Sequence, residues 1–474
     1  MNSVKFILNK KIISVDLSQG PYGPTTTVLE YLRSQPHLKG VKEGCAEGDC
    51  GACTLVLGDL QSNGEVRYRN FDSCLVFLPM LHGKELITVE GIGDSSCLHP
   101  VQKAMVDTDG SQCGYCTPGF IMSMYYLYNK KEKASRDEIK DCLTGNLCRC
   151  TGYRSIMDAA EQSCGQEKRD NNNFSSQSKK LLDSLGVTDL AIETNKQSYY
   201  QPRTLDSALS IMSLNPHARI VNGATDLGLA VTKQKALLES LVDISCVNEL
   251  KEINIREEGV EYGAGINLED LRLHCADYFP ALQAMLNVFG SRQIRYLGTL
   301  GGNIASASPI GDMPPVLMAY EAIYTLVSEL GERKVTSREF VTGYRQTVMK
   351  ENELIKSVFI PFPKNNHHLK SYKISKRKDL DISTVSAGFQ LKLKEGLVED
   401  IALIYGGMAA QTKRADNAEA HLRNKAWTRT NVEEAMSLLS KDFTPISDAR
   451  SGEEGRRLMA RNLLLKFWNE TQYD

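Results

Sequence analysis

The sequence predicts a multidomain α+β protein, and three observations carry that prediction. At 474 residues the chain is too long for one ordinary hydrophobic core, so several domains are expected. The apolar pattern changes along the chain, from strand-like alternation at the start to a helical repeat from about residue 98 and mixed signals later. Two stretches read as boundaries. GQEKRDNNNFSSQSKK (165–180) has few apolar residues and many Asn, Ser and Lys, and IPFPKNNHH (360–368) is bounded by proline.

VKFILNKKIISVDL (4–17) reads as two paired strands with Asn9-Lys10 at the turn, so a β-hairpin opens the chain. TTTVLEYLRSQPHL (25–38) predicts a short helix capped by a Thr, and TLVLGDL (54–60) predicts a strand. From residue 98, HPVQKAMVD, TPGFIMSMYYLYNK and SRDEIKDCLTG carry apolar residues three and four apart, and TGYRSIMDAAEQSC (151–164) completes a four-helix unit. Ser135 and Glu138 are spaced as a capping box, and Pro118 suits the first turn of its helix. ARIVNGATDLG, ALLESLVDIS and VEYGAGINLEDL alternate strand-like runs with amphipathic helices in a larger α+β domain. SYKISKRKDLDISTVSAGFQLKLKEGLVEDIALIYGGM then suggests hairpins, and NVEEAMSLLSKDF a closing helix. No internal repeat is present.

The composition is 42% hydrophobic and 24% charged with a net charge of −2, values of a globular chain that imply no nucleic-acid partner. There is no apolar run of membrane-spanning length. The start MNSVKFILNKKIISVDL alternates as a strand does, without a signal peptide's apolar core, so the expected compartment is the cytoplasm. In that reducing setting, dense cysteine usage favours metal ligation or redox chemistry over disulfides.

Eight of the 13 cysteines form two sets of four in the first 150 residues. Cys45, Cys50 and Cys53 in GCAEGDCGAC, with Cys74, have the C-x4-C-x2-C…C spacing of a plant-type [2Fe–2S] loop, and the element order around them suits a small β-grasp. Cys113 and Cys116 in QCGYC, with Cys148 and Cys150 in NLCRC, form the second set. Such a cluster needs thiolates converging in pairs on two irons and N–H donors to offset its negative charge. Gly44, Gly48 and Gly51 let the loop turn amides inward, and Cys116 and Cys150 immediately precede predicted helices, whose N-termini favour anions. Four thiolates also suit a structural zinc site. Cys97, Cys142, Cys164, Cys246 and Cys275 have no ligand spacing.

Gly263-Ala264-Gly265 follows a predicted strand, but Leu268 stands where a Rossmann fingerprint needs its next glycine, so a Rossmann site is rejected. RIVNGATDLG (219–228) and LGTLGGNIASASPIGDMPP (297–315) place Gly, Thr, Ser and Asn at the ends of apolar runs, where amides and hydroxyls could surround a pyrophosphate; ordinary loops would look the same.

With both cysteine sets, the polar stretch and these two segments in this order, the chain resembles the iron–sulfur and flavin portion of the molybdenum hydroxylases. The resemblance covers essentially all of the chain and is most specific in GCAEGDCGACT, GSQCGYCTPGF, NLCRCTGYR and LGTLGGNIASASPIGD. Within the family it is most similar to the small subunit of bacterial purine-oxidising members. It implies a β-grasp [2Fe–2S] ferredoxin-like domain over 1–90 and a four-helix [2Fe–2S] domain over 91–165. After a linker over 166–195 come an α+β FAD-binding domain (PCMH-like) over 196–365 and a small α+β C-terminal flavoprotein domain over 366–474.

It also implies roles for residues. Cys45, Cys50, Cys53 and Cys74 would ligate the first cluster, and Cys113, Cys116, Cys148 and Cys150 the second, with Gln112 touching the pterin. Ile220, Val221, Asn222, Gly223, Ala224, Thr225, Asp226 and Leu227 would wrap FAD, Asp226 being the acidic residue near the flavin. Thr299, Leu300, Gly301, Gly302 and Asn303 would hold the pyrophosphate, and Phe289, Asp312, Ile355 and Lys373 are further FAD contacts. Without the resemblance, Phe289 reads as a core aromatic and Lys373 as a solvated strand charge.

The implied route runs from a molybdenum cofactor through the helical-domain cluster, the N-terminal cluster and FAD to NAD+, during oxidation of hypoxanthine or xanthine to urate. Fused members continue into a long molybdenum-binding region and this chain ends at Asp474. The expectation is therefore a large molybdopterin-binding partner subunit in an α2β2 heterotetramer, with no hydroxylating residue here. Members acting on aldehydes, nicotinate or aromatic-CoA substrates would share this architecture, because substrate choice lies on the partner. A zinc-stabilised scaffold with a degenerate flavin fold would share only the thiols. Leu380 in KRKDLDIS stands where animal members often carry an acidic residue, which bears on NAD+ against oxygen as acceptor; NAD+ is the expectation.

Overall fold

A computed structural model describes residues 3–61, 63–165, 174–364 and 366–472. The chain divides into two compact units, Met1–Val247 with Ser291–Gly298, and Asn248–Gly290 with Thr299–Asp474.

The first unit opens with β1 (Ser3–Leu8) and β2 (Lys11–Asp16), joined through Asn9 and Lys10, both at positive φ as a tight hairpin turn requires. The helix α1 (Val28–Ser34) starts where the Thr27 side chain accepts from the Glu30 amide. β3 (Thr54–Leu60), β4 (Val66–Asp72) and β5 (Glu85–Ile87) complete a five-stranded sheet of order β2-β1-β5-β3-β4, in which β1 and β5 are parallel. Its apolar face packs Val4, Phe6, Leu55, Leu57 and Leu86 against α1 in one core.

Four helices follow: α2 (Pro100–Asp107), α3 (Thr117–Lys130), α4 (Arg136–Leu143) and α5 (Arg154–Cys164). Their core gathers Met105, Phe120, Met124, Ile139, Ile156 and Ala160. The Ser135–Glu138 capping box starts α4, and Pro118 lies in the first turn of α3. Cys116 is the N-cap of α3, but Cys150 does not directly precede a helix. α5 begins only at Arg154, after Thr151, Gly152 and a left-handed Tyr153.

Residues 174–195 of the expected linker are more ordered than its polarity suggests. Residues 166–173 lie outside the described residues, but α6 (Phe174–Ser184) forms a helix. Leu182 and Leu185 of this stretch pack with Ile7, and β6 (Leu190–Glu193) enters a second sheet. That sheet also holds β7 (Ser198–Gln201), which leads to α7 (Leu205–Leu214), then β8 (Arg219–Val221), α8 (Thr225–Thr232) and β9 (Ser240–Asp243). Its order is β6-β7-β9-β8, with β9 parallel to both neighbours. The expected FAD-binding stretch 196–365 is thus shared between the two units.

In the second unit, strands Ile253–Ile255, Gly259–Gly263, Leu354–Pro361, Ile323–Ser328 and Gly331–Thr336 form an antiparallel sheet in that spatial order. Gly263 ends a strand whose neighbours are both antiparallel, so the Gly-Ala-Gly segment has no parallel βαβ unit around it. The C-terminal part is a meander of His367–Ile374, Val385–Lys394 and Leu397–Gly406, packed on helices Arg429–Asp442 and Glu453–Thr471 through Phe389, Leu403, Tyr405, Leu439 and Phe467.

Candidate redox site

The first cysteine set converges in pairs. Cys53 and Cys74, 2% and 1% exposed, bring their sulfurs to 3.4 Å, and the thiols of Cys45 and Cys50 are hydrogen-bonded to each other. Three amides, of Glu47, Asp49 and Cys50, donate to the Cys45 sulfur at 3.3–3.4 Å. The Cys50 contact and these amides, against burial, bring the Cys45 thiol down to about 6, while the same contact and burial push Cys50 up. The Cys74 contact and burial raise Cys53. Behind the pair lies Asp72, fully buried, whose carboxylate accepts from Thr54 at 3.4 Å and from the Cys53 thiol at 3.6 Å. Burial and the charge of Cys45 push it up to about 8. A β-carbon on Gly44 would meet the Cys50 sulfur, so that glycine makes room for the sulfur itself.

The second set is paired too, Cys116 with Cys148 and Cys113 with Cys150. Burial raises the Cys148 thiol, but hydrogen bonds from the Thr151 hydroxyl, the Thr151 and Cys150 amides and the Cys116 thiol outweigh it and bring it to about 7. Burial and Cys148 push Cys116 up to about 12. Cys113 and Cys150 are exposed, as is Gln112. Among the described residues no group of three or more His, Cys, Asp or Glu is set to hold one metal ion. The thiols stand two and two, the division that a two-iron cluster needs, and the inward amides fit its charge.

The two loops touch directly. The Leu147 amide donates to the Cys50 carbonyl at 3.0 Å, and the Asn146 side chain donates to the Gly51 carbonyl at 2.9 Å and to Thr54 at 3.2 Å. Thr54, Asp72, Ser123, Asn146, Thr151 and Gln293 are site residues that motif spacing did not reveal. Thr54, Asn146 and Thr151 lie one or two residues from a ligand-type cysteine and could have been suspected, whereas Gln293 is 145 positions from Cys148 in the numbering.

Ile220–Leu227 forms a strand end, a turn and the start of α8. Ala224 takes a left-handed φ of 59° as N-cap with no side-chain cap, so the first-turn amides of α8 have neither intrahelical nor side-chain partners. That is an anion-ready turn. Gly223 is required here, since a β-carbon would strike the Leu297 carbonyl. α8 is tied to the first cysteine loop: Thr232 donates to the Ala46 carbonyl at 2.7 Å, Lys233 pairs with Glu47 at 3.2 Å, and Gly228 packs on the Leu75 backbone.

In the second unit Thr299 caps the helix Leu300–Ala305. The amides of Leu300, Gly301, Gly302 and Asn303 already donate to Ile266, Ala264, the Thr299 hydroxyl and the Thr299 carbonyl. The donors expected to hold a pyrophosphate are used within the fold, leaving exposed Gly302 and the unpartnered Asn303 carbonyl oxygen for a ligand. Asp312 and Lys373 form a buried ion pair at 2.8 Å, Ser383 donates to the same carboxylate, and the Lys373 ammonium lies 5.9 Å from the Phe289 ring centre. Lys373 is therefore no solvated strand charge. Ile355 is 5% exposed within the apolar core. Leu380 takes a φ of 73° in a loop closed by the Arg377–Asp381 ion pair.

Two paired thiol quartets beside an anion-ready strand–turn–helix are the donor sets that an iron–sulfur flavoprotein would need. Residues 88–161 match the [2Fe-2S] binding domain, residues 193–363 the FAD binding domain in molybdopterin dehydrogenase, and residues 370–471 the CO dehydrogenase flavoprotein C-terminal domain. The chain is 31% identical to xanthine dehydrogenase/oxidase of Gallus gallus, over 98% of its own length and 40% of that protein's. It is 32% identical to xanthine dehydrogenase 2 of Arabidopsis thaliana, over 93% and 38%. It thus spans about two fifths of the length of these curated relatives. Among solved structures, carbon monoxide dehydrogenase from Hydrogenophaga pseudoflava is similar with a TM-score of 0.54 and 26% identity, covering 56% of this chain and 94% of that one. Quinoline 2-oxidoreductase from Pseudomonas putida 86, at 0.54 and 24%, over 57% and 95%, shares the fold. The chain belongs to the molybdenum hydroxylase family, as a portion carrying its FAD-binding and [2Fe–2S]-binding domains. Among the described residues no helix is long and apolar enough to cross a membrane.

Proposed function

We propose that this chain is the electron-transfer subunit of a xanthine dehydrogenase. It receives electrons from a molybdopterin cofactor on a large partner subunit, in a cytoplasmic α2β2 heterotetramer, and delivers them to NAD+ as hypoxanthine and xanthine are oxidised to urate. The supporting observation is a join of three pieces in one unit. The Cys148 loop is bonded to the Cys50 loop, and the first cysteine loop is bonded to α8 behind its anion-ready turn. When bound, [2Fe–2S] clusters at the two quartets carry single electrons and FAD collects two and can pass a hydride to NAD+.

The chain's own residues prepare these sites. Cys113, Cys116, Cys148 and Cys150 supply thiolates beside exposed Gln112, where a partner's pterin can approach. Cys45, Cys50, Cys53 and Cys74 supply the thiolates of the first set, with amides offsetting charge and burial of Cys53 and Cys74 excluding water. The free amides of α8 suit a flavin pyrophosphate, with Asp226 exposed in the same turn. Phe289, Thr299–Asn303, Asp312, Ile355 and Lys373 are proposed FAD contacts as well. The purine substrate is favoured because the chicken and Arabidopsis relatives are xanthine dehydrogenases.

Copurification of the native complex, with metal analysis and substrate profiling, tests this reading. The expected outcome is about four irons per chain, as two [2Fe–2S] clusters require, one FAD, turnover of xanthine, and faster reoxidation by NAD+ than by oxygen. Turnover of aldehydes, nicotinate or aromatic-CoA substrates instead would assign another member of the family. Zinc without iron–sulfur absorption would end the electron-transfer reading. Cys148→Ser is expected to abolish one of two EPR signals and leave FAD bound; an unchanged pair of signals removes Cys148 from the ligands.

A further inference from the structure

Between the two thiol quartets lies a bonded connection held by a residue from a distant segment. From Cys148 it runs back one peptide unit to the Leu147 amide, crosses one 3.0 Å hydrogen bond to the Cys50 carbonyl, and reaches the Cys50 sulfur through that residue's own bonds. The two loop backbones meet directly. A β-carbon on Gly51 would strike the Gly145 carbonyl, and one on Gly119 would strike the Gly51 carbonyl. The register is set by a buried polar lock. The Asn146 carboxamide donates to the Gly51 carbonyl and Thr54, and accepts from Ser123 at 2.7 Å and Gln293 at 3.2 Å. Gln293, with no exposure at all, also has its Nε2 within reach of Thr54 at 3.2 Å and Ser123 at 3.4 Å, so its two N–H hydrogens are shared among three acceptors, and its carbonyl end packs over Gly145. Apolar side chains could fill this volume without the desolvation cost, which the Gln293 carbonyl oxygen bears with no partner. What apolar packing cannot supply is a single hydrogen-bonded register.

We infer that Gln293 is a positioning residue for electron passage between the quartets, acting through Asn146 to keep the Leu147–Cys50 hydrogen bond closed. This rests on the electron-transfer reading above. The step moves one electron: the Cys113/Cys116/Cys148/Cys150 site is oxidised by one, the Cys45/Cys50/Cys53/Cys74 site is reduced by one, and no proton or covalent bond changes hands. Tunnelling through bonded atoms and a closed hydrogen bond is faster than across a gap, so loosening the lock slows this step without altering either ligand set.

The test uses the holo chain, loaded with iron and FAD, given a substoichiometric pulse of dithionite and followed by rapid-freeze EPR. The exposed Cys113/Cys150 end takes the electron first, and its redistribution to the second signal is timed. Gln293→Met, which keeps the length and removes the donor, is expected to slow redistribution severalfold with iron content and both midpoint potentials unchanged. Unchanged speed with both signals present overturns the inference. If Gln293→Met loses a signal, Ser123→Ala, which deletes the hydroxyl that donates to Asn146 and faces Gln293 in the same lock, is judged by the same measure. Loss of a signal in both variants makes the lock a folding element only and also overturns it. A wild-type chain without two signals is a separate failure, of the electron-transfer reading itself.

Discussion

His82 stands outside the thiol sites, yet it sets how the first unit responds to acid. It is 5% exposed, and its Nδ1 accepts the Lys5 amide at 3.1 Å, a role only the neutral ring can fill. Burial, with the charges of Arg203, Lys5 and Lys84, brings it down from 6.5 to about 4. Because the folded value lies below the unfolded one, this contribution to stability is fully present above pH 6.5 and is lost as pH falls from there towards 4. It amounts to roughly 3 kcal/mol. Urea unfolding at pH 7.5 and pH 4.5 is expected to show that loss, and His82→Gln to flatten it; equal slopes in the two proteins would place the acid sensitivity elsewhere. The same scale explains why cysteines of one type differ. Cys45 is surrounded by three amides and accepts from Cys50, whereas Cys50 keeps the proton it donates and is raised further by burial.

Among elements, the decisive contact is between α3 and the first cysteine loop. Gly119 lies near the start of α3, where alanine is intrinsically better by about 1 kcal/mol. Here its missing side chain lets the helix backbone meet the Gly51 carbonyl. Gly119→Ala is therefore expected to destabilise by about 1–3 kcal/mol, the usual cost of overpacking against rigid backbone, and to weaken iron retention. Denaturant unfolding with iron analysis checks this; a more stable variant with full iron would show that the loop can yield. Cys116 is the N-cap of the same helix, but burial and Cys148 outweigh that position and hold its thiol up. Cys150 is not at a helix start, and its contact with the Cys113 thiol raises it.

At the scale of the whole molecule, each unit has its own core: the β-grasp and four-helix clusters in the first, and the antiparallel sheet and C-terminal meander in the second. Metal is expected to affect them unequally, because all eight paired cysteines belong to the first. Removing iron with a chelator is expected to raise amide hydrogen exchange across residues 43–54 and 111–153, while strands Val385–Lys394 and Leu397–Gly406 keep their protection. Equal loss in the meander would show that the thiol sites support the whole chain.

Local order in the chain was legible from residue types alone, because hairpin turns, caps and strand alternation depend on near neighbours. The Asn9-Lys10 turn, the Ser135–Glu138 box, the strand Thr54–Leu60 and the four helices all follow from spacing. The two sets of four thiols were legible as sets for the same reason, since ligation would demand a fixed residue type at a fixed interval, and the fold brings each set together in pairs. Tertiary structure alone decided the rest. It folded polar-looking residues 174–195 into a helix and a strand through a few leucines, and used the amides of residues 300–303 internally. It also turned Lys373 from a solvated charge into half of a buried pair, and brought Gln293 onto the joint between the cysteine loops. Such long-range pairings arise from burial and from matching donors to acceptors across the fold, and neither leaves a periodic trace in the sequence.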